Sequence, residues 1–221
     1  MSKYEEDYIR YIYSRIEQGE HLVKITDIAN VFGYTKQSVI EMIKKMESRG
    51  YVKYIPYKGV DITEEGRKIG SRMVRVHRLW EIFLVNELGM KWDEIDDEAH
   101  LLEHATSPLL ESKLYTYLGK PEYCPHGNPI PDEDGEATYI TYMTLDQVTA
   151  NTTFIVKMVK DEPSLLKYLK QNGVNIGTTL YIQSILAYDG MIHGIIDGQD
   201  FYMSKESAKL VSGIIVKREK G

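Results

Sequence analysis

The sequence predicts a mainly α protein with β additions, in three parts. A helical head ends in a β-hairpin, a helical segment follows, and the last third forms a small β-barrel. Three observations predict this. Apolar residues recur at helical spacing through the first 118 residues, interrupted only by YVKYIPYKGVDI. The stretch KPEYCPHGNPIPDEDGEAT breaks every periodicity. After it, short β-branched runs return, separated by glycine turns.

The elements follow in order. In YEEDYIRYIYSRIEQ the residues Tyr8, Ile9, Ile12, Tyr13 and Ile16 form one helical stripe. TDIANVFG reads as a second helix, capped by Thr26 and stopped by Gly33. TKQSVIEMIKKMESRG reads as a third, capped by Thr35 and closed by Gly50, with Val39, Met42, Ile43 and Met46 inward. Two short helices across a tight glycine turn are a helix-turn-helix. YVKYI and VDI flank the turn PYKG and form a wing. Thr63 then caps a long helix whose apolar face (Val76, Leu79, Trp80, Phe83, Leu84) is larger than one small domain hides, so a dimer interface is expected to cover it, with an internal core as the alternative. DDEAHLLEHATS and SPLLESKLYTYLG are two further helices. In the last third, TTFIVKMVK, TTLYIQSILAY, GMIHGIIDG and GIIVK read as strands, with PSLLKYLKQNG as a helix between the first two. The expected domains are a winged helix-turn-helix over 1–74, a helical domain over 75–140, a linker over 141–150 and a β domain over 151–221.

Composition narrows the function. The 221 residues hold one cysteine, Cys124, so no internal disulfide is possible. No apolar run is long enough to span a membrane, and the acidic, amphipathic start lacks the regions of a signal peptide. A cytoplasmic protein is expected. The net charge of -6 is uneven. Residues 1–74 carry 13 Lys+Arg against 11 Asp+Glu, residues 75–150 carry 5 against 15, and residues 151–221 carry 9 against 7. The head is therefore mildly basic (+2) in front of a segment at -10.

In a winged helix-turn-helix the second helix enters the major groove with its N-terminal residues foremost. Here these are Thr35, Lys36, Gln37 and Ser38, with Lys44 further along and Lys58 at the wing tip. All are able to donate to phosphates or base edges. The expected partner is double-stranded DNA. With so little net positive charge the counterion-release term is modest, so tight binding needs two heads at the correct spacing.

A second chemistry is written in HLLEH. His100, Glu103 and His104 fall at i, i+3 and i+4 and share one helix face. His77 and Glu81 are another i, i+4 pair, and Cys124 and His126 lie two apart in a proline-flanked loop with Glu122 just before. Three such groups point to metal. H-x-x-E-H also occurs in zinc hydrolases, where the glutamate is a general base. That reading needs a further ligand downstream and a substrate cleft, and neither is evident. A winged-helix regulator of some other ligand would leave the His/Cys/Glu clustering unexplained. A metal-responsive DNA-binding regulator uses all of these features.

EEDYI, TKQSVIEMIKKMESRGYV, PYKGVDITEEG, HRLWEIFLV, DDEAHLLEH and CPHGNPIP, collinear over about residues 5–131, resemble the diphtheria toxin repressor family. The resemblance is to its long-form, manganese-type members, and residues 151–221 match more loosely as the family's SH3-like (FeoA-like) domain. It implies a homodimeric, metal-dependent repressor of metal-uptake genes, with operator DNA as partner and no catalytic residues, membrane contact or organic substrate. It implies a primary site of Asp7, His100, Glu103 and His104. A secondary site would use His77, Glu81, Glu122, Cys124, His126 and, from the last domain, Asp161. Asp7 stands where iron-type relatives have methionine, and an oxygen ligand suits Mn2+. His100 stands where manganese-type relatives more often have glutamate, and an imidazole also admits Fe2+ or Zn2+. Arg10 stands where short manganese relatives have a glutamate, which argues against a closely spaced binuclear centre.

Overall fold

In the computed structural model, residues 1–138, 140–160 and 162–218 are described. The chain divides into two compact units. The first comprises Met1–Trp80, Ala99–Lys120 and Ile130–Thr138, and the second Glu81–Glu98, Pro121–Pro129 and Tyr139–Gly221.

The first unit opens with α1 (Lys3–Glu17), whose start is locked by a reciprocal capping box between Ser2 and Glu5. Its stripe of Tyr8, Ile9, Ile12 and Tyr13 is buried. α2 (Ile25–Phe32) and α3 (Lys36–Ser48) form the helix-turn-helix. Gly33 ends α2 in the left-handed region at φ 68°, which a side chain would strain. Thr35 caps α3, its hydroxyl accepting from the Ser38 amide. The expectation for Thr26 is corrected: α2 starts one residue before it, with Lys24 at the cap and no side-chain cap bond. The chain enters α2 from Val23, which is bridged to Val60, and that bridge sets where the helix can start.

β1 (Val52–Ile55) and β2 (Gly59–Ile62) pair antiparallel as the wing. Its tip holds Tyr57, fully exposed and at φ 65°. Val23, Ile28, Val39, Ile43, Met46, Val52 and Val60 join the α1 stripe in one core. Thr63 caps α4 (Glu64–Asn86) as predicted, accepting from the Gly66 amide. Part of the α4 face is covered without a partner: Val76, Leu79 and Leu84 are buried in the single chain, and Trp80 and Phe83 are half-buried. Among the described residues, the large apolar side chains left exposed include Leu101 on α5 (Asp96–Glu103) and Leu109 and Leu110 on α6 (Pro108–Tyr117).

The second unit contains a six-stranded antiparallel sheet, ordered β3-β8-β4-β5-β6-β7. The strands are β3 (Met143–Thr144), β4 (Thr152–Val159), β5 (Thr179–Ile185), β6 (Ile192–Ile196), β7 (Gln199–Met203) and β8 (Val211–Arg218). α7 (Pro163–Gln171) joins β4 to β5, and the short α8 (Lys205–Ala208) precedes β8. The strand order is open, with β3 and β7 at its edges. β7 and β3 are additions to the sequence reading. β6 and β7 form a hairpin through Asp197 (φ 47°) and Gly198 (φ 82°), the two-residue turn in which both residues need positive φ. Part of the stretch expected as a linker is built into this unit: β3 pairs with β8, and Leu145 and Val148 are buried in its core. β4 alternates buried and half-buried residues up to Val156. A bulge against β8 between Val156 and Met158 then turns Val159 inward. No helix among the described residues is long and apolar enough to cross a membrane.

Candidate metal centre

Two groups of donor atoms converge, one within each unit. In the first, Asp7 on α1 meets His100 and Glu103 on α5 and His104 in the turn just after it. One ligand atom from each lies within 4.8 Å of all the others. His104 Nε2 is 2.9 Å from Asp7 Oδ1 and 3.5 Å from Glu103 Oε1, and His100 Nε2 is 3.5 Å from Asp7 Oδ1. Two ligand atoms held by one ion at about 2.1 Å stand about 3.0–3.4 Å apart, so these spacings fit a shared ion. Asp7 Oδ1 and His104 Nε2 are buried and make no hydrogen bond. Buried polar atoms without a hydrogen bond are rare, and here two of them face each other at 2.9 Å, as two ligands of one ion would.

The surroundings orient these donors. Glu6 accepts from His104 Nδ1 at 2.7 Å, which leaves Nε2 as the ring nitrogen turned to the group. Glu103 is buried and lies 2.7 Å from His77 Nδ1, 3.1 Å from His100 Nδ1 and 3.3 Å from Arg10 Nε. Burial alone would raise its pKa. The hydrogen bonds from His100 and His77 and the charge on Arg10 outweigh this and hold it at about 2. Glu103 is therefore an ionised acceptor at neutral pH and not a free general base. Arg10 also places Nη1 3.2 Å from His77 Nδ1 and Nη2 3.4 Å from His100 Nδ1. A guanidinium thus already stands against Glu103 Oε1. Glu6, and the contacts of Arg10 and His77 with Glu103, are additions to the sequence reading. Helical spacing shows which side chains share a face, but not which residues of another helix they meet.

The second group is Glu81 near the end of α4 with Cys124 and His126 of the 121–129 loop, all buried. His126 Nδ1 is 3.1 Å from Glu81 Oε1, and its Nε2 is 3.1 Å from the Trp92 carbonyl. The loop is a tight turn: the Cys124 amide donates to Asn128 and the Gly127 amide to Cys124. Gly127 sits at φ 79° with its α-carbon against β4, where a Cβ would come within 2.1 Å of the Lys157 carbonyl oxygen. The Val159 amide donates to the His126 carbonyl at 3.0 Å. Among the other candidates for this site, His77 bonds Glu103 through Nδ1, Glu122 is exposed, and Asp161 lies outside the described residues.

Comparison with known proteins decides what this pair of sites belongs to. Residues 1–60 match the iron dependent repressor N-terminal DNA binding domain, and residues 63–132 its metal binding and dimerisation domain. Residues 143–213 match the FeoA domain. A manganese-dependent transcriptional repressor solved in complex with manganese is 32% identical, with a TM-score of 0.86 over 96% of this chain and 100% of that one. The chain belongs to the diphtheria toxin repressor family. The Corynebacterium efficiens diphtheria toxin repressor is 27% identical over 208 residues, 87% of this chain and 90% of its own length. The match to the iron-dependent repressor IdeR of Mycobacterium tuberculosis is shorter, 33% over 126 residues, and spans 57% of this chain and 54% of that protein. Diphtheria toxin repressor family members are metal-dependent, DNA-binding transcriptional repressors and not enzymes.

The DNA-facing residues expected of such a repressor are all on the surface. Thr35, Lys36, Gln37, Ser38 and Lys44 are exposed on α3 and its cap, and Lys58 is exposed beside Tyr57 at the wing tip. The Thr35 and Ser38 hydroxyls lie 2.9 Å apart, and Gln37 donates to Glu41 at 3.1 Å. The side chains at the start of the recognition helix are thereby held in place before any base is met.

Proposed function

We propose that this chain is a manganese-responsive repressor that binds operator DNA as a homodimer when metal-loaded and controls metal-uptake genes in the cytoplasm. The observation that carries this reading is the first donor group, in which α1 of the DNA-binding segment and the α5 region contribute ligands to one point. Asp7, His100, Glu103 and His104 would hold the ion. Glu81, Cys124 and His126 would hold a second, with His77, Glu122 and Asp161 as further candidates. The domains we propose are 1–74 for DNA, 75–140 for metal and dimerisation, and 151–221 as the SH3-like part. Two carboxylates in the first group suit manganese, and two imidazoles admit iron(II) or zinc. The relative solved with manganese supports the first.

When bound, the ion supplies the positive charge and directional coordination that join α1 to α5. Asp7 and Glu103 carry like charges to one place, and Arg10 neutralises only part of that charge. Without a further cation the two helices repel there. With it, Asp7 fixes α1, and with α1 the helix-turn-helix that shares its core. Leu101 on α5 and Leu109 and Leu110 on α6, each exposed, support a self-association surface there. A dimer presents two α3 helices at half-sites about one DNA turn, or a multiple, apart.

The test is fluorescence anisotropy with a labelled promoter fragment from a manganese-transport operon. It is run in EDTA and then with manganese, iron(II) and zinc in turn. Binding that appears with manganese and is lost in EDTA is expected. Metal-independent binding would overturn the regulatory reading, and no binding by folded dimer would overturn the choice of operator class.

A further inference from the structure

One turn of α1, residues 5–7, faces three ways. Asp7 points into the first donor group and Glu6 orients His104. Glu5 turns towards the recognition helix. Its side chain is completely buried, yet it carries a carboxylate. Arg49 Nη1 donates to Oε1 at 2.8 Å and to Oε2 at 2.9 Å, and Lys45 Nζ lies 3.3 Å from Oε1. The Ser2 amide and hydroxyl donate to Oε2 at 2.9 and 3.2 Å. Lys45 is in the last turn of α3, and Arg49 is the residue that closes it.

A buried charge is costly unless it stays paired, so this contact resists being pulled apart. The capping box also ties Glu5 to the backbone at the start of α1, so the carboxylate moves with the helix. α1 and α3 share an apolar core, but apolar packing lets helices slide, whereas charge-assisted bonds from Arg49 Nη1 to both oxygens of Glu5, with Lys45 beside them, tie the end of α3 to one point on α1. We propose that Glu5 is the positioning residue that couples metal at the Asp7 group to the orientation of recognition helix α3, through Arg49 and Lys45. The inference rests on the metal-responsive reading above and adds the route by which the response reaches DNA. Asp7 and Glu5 are two residues apart on one rigid turn, so a change in where Asp7 is held becomes a change in where the end of α3 is held.

The test uses the full-length protein and compares operator affinity with and without manganese in the parent, Glu5→Gln and Arg49→Gln. Manganese affinity is measured separately by the electron paramagnetic resonance signal of the free ion. Amide exchange along α3 is followed as manganese is added. Glu5→Gln keeps a capping group but removes the charge, and Arg49→Gln changes a half-exposed residue and leaves Lys45 beside the buried carboxylate. In both variants manganese affinity should stay within about twofold of the parent. The gain in operator affinity on adding manganese should fall at least about fivefold, from a parent gain in the 5- to 150-fold range usual for such coupling. Manganese should protect α3 amides in the parent and not in the variants. A merely structural role would lower thermal stability and leave the ratio of affinities unchanged. An unchanged ratio in Arg49→Gln, whatever Glu5→Gln does, overturns the proposal. A parent that shows no manganese-dependent gain overturns the regulatory reading instead, and the coupling with it.

Discussion

The two donor groups differ in what they join. The first takes Asp7 from the opening helix and His100, Glu103 and His104 from a segment more than ninety positions later. It keeps His100 partly exposed, and Glu6, His77 and Arg10 contact its members. The second is wholly buried, draws two of its three members from one tight loop and includes a thiol. A site assembled from distant segments changes their relation when it fills. A site inside a docked loop reinforces what is already in place. The first has the build of a switch and the second that of a staple.

The largest expected effect tests the switch. Asp7→Ala should abolish the gain in operator affinity on adding metal, a gain of about 5- to 150-fold in the parent. Anisotropy titrations check it, and an unchanged gain would remove Asp7 from the site. Next, Glu6→Gln should lower metal affinity about 10- to 100-fold, because His104 loses the carboxylate that orients it. Equilibrium dialysis with manganese reads this, and wild-type affinity would mean that the contact is incidental.

Cys124→Ala tests the staple and should reduce the operator gain without abolishing it. The Trp92 ring lies 5.5 Å from the His126 ring, so manganese held in the second group should quench Trp92 fluorescence. In a Trp80→Phe background that quenching should vanish with Cys124→Ala and survive Asp7→Ala. The opposite pattern would exchange the roles of the two groups.

The smallest effect concerns acid. Glu103 is lowered in the fold from 4.5 to about 2, so it contributes stability that is fully present above pH 4.5 and is lost as the pH falls towards 2. Metal-free protein should therefore lose more stability across that window than Glu103→Gln does. Parallel acid-unfolding curves would contradict this.

Much of this was legible in the residues because local chemistry decides it. Thr35 and Thr63 cap the helices they precede, Gly33 takes the left-handed position, and His100, Glu103 and His104 meet because helical spacing puts them on one face. What was not legible depends on partners distant in sequence. Val23 pairs with Val60 and moves the start of α2 ahead of Thr26. Part of the α4 face is buried by its own chain, which no periodicity can reveal. His77, spaced to pair with Glu81, also bonds Glu103 through Nδ1, a contact that spacing along one helix does not show. β7 is the exception, because the Asp197-Gly198 pair was a local turn signal that marked both arms of a hairpin.

The bulge in β4 has a consequence for loop 121–129. Against β8, the strand carries one residue more than its partner there, and that residue is Lys157. Its carbonyl is the one that lies against Gly127, and the Val159 amide beyond it holds the His126 carbonyl. A perfectly regular strand would be out of phase with the loop by one residue and would turn the opposite edge towards it. Deleting Lys157 changes no candidate ligand, yet it should read in a metal titration like a mutation of Cys124 or His126. The length of a strand, counted in single residues, is thus part of the specification of a candidate metal site some thirty positions upstream.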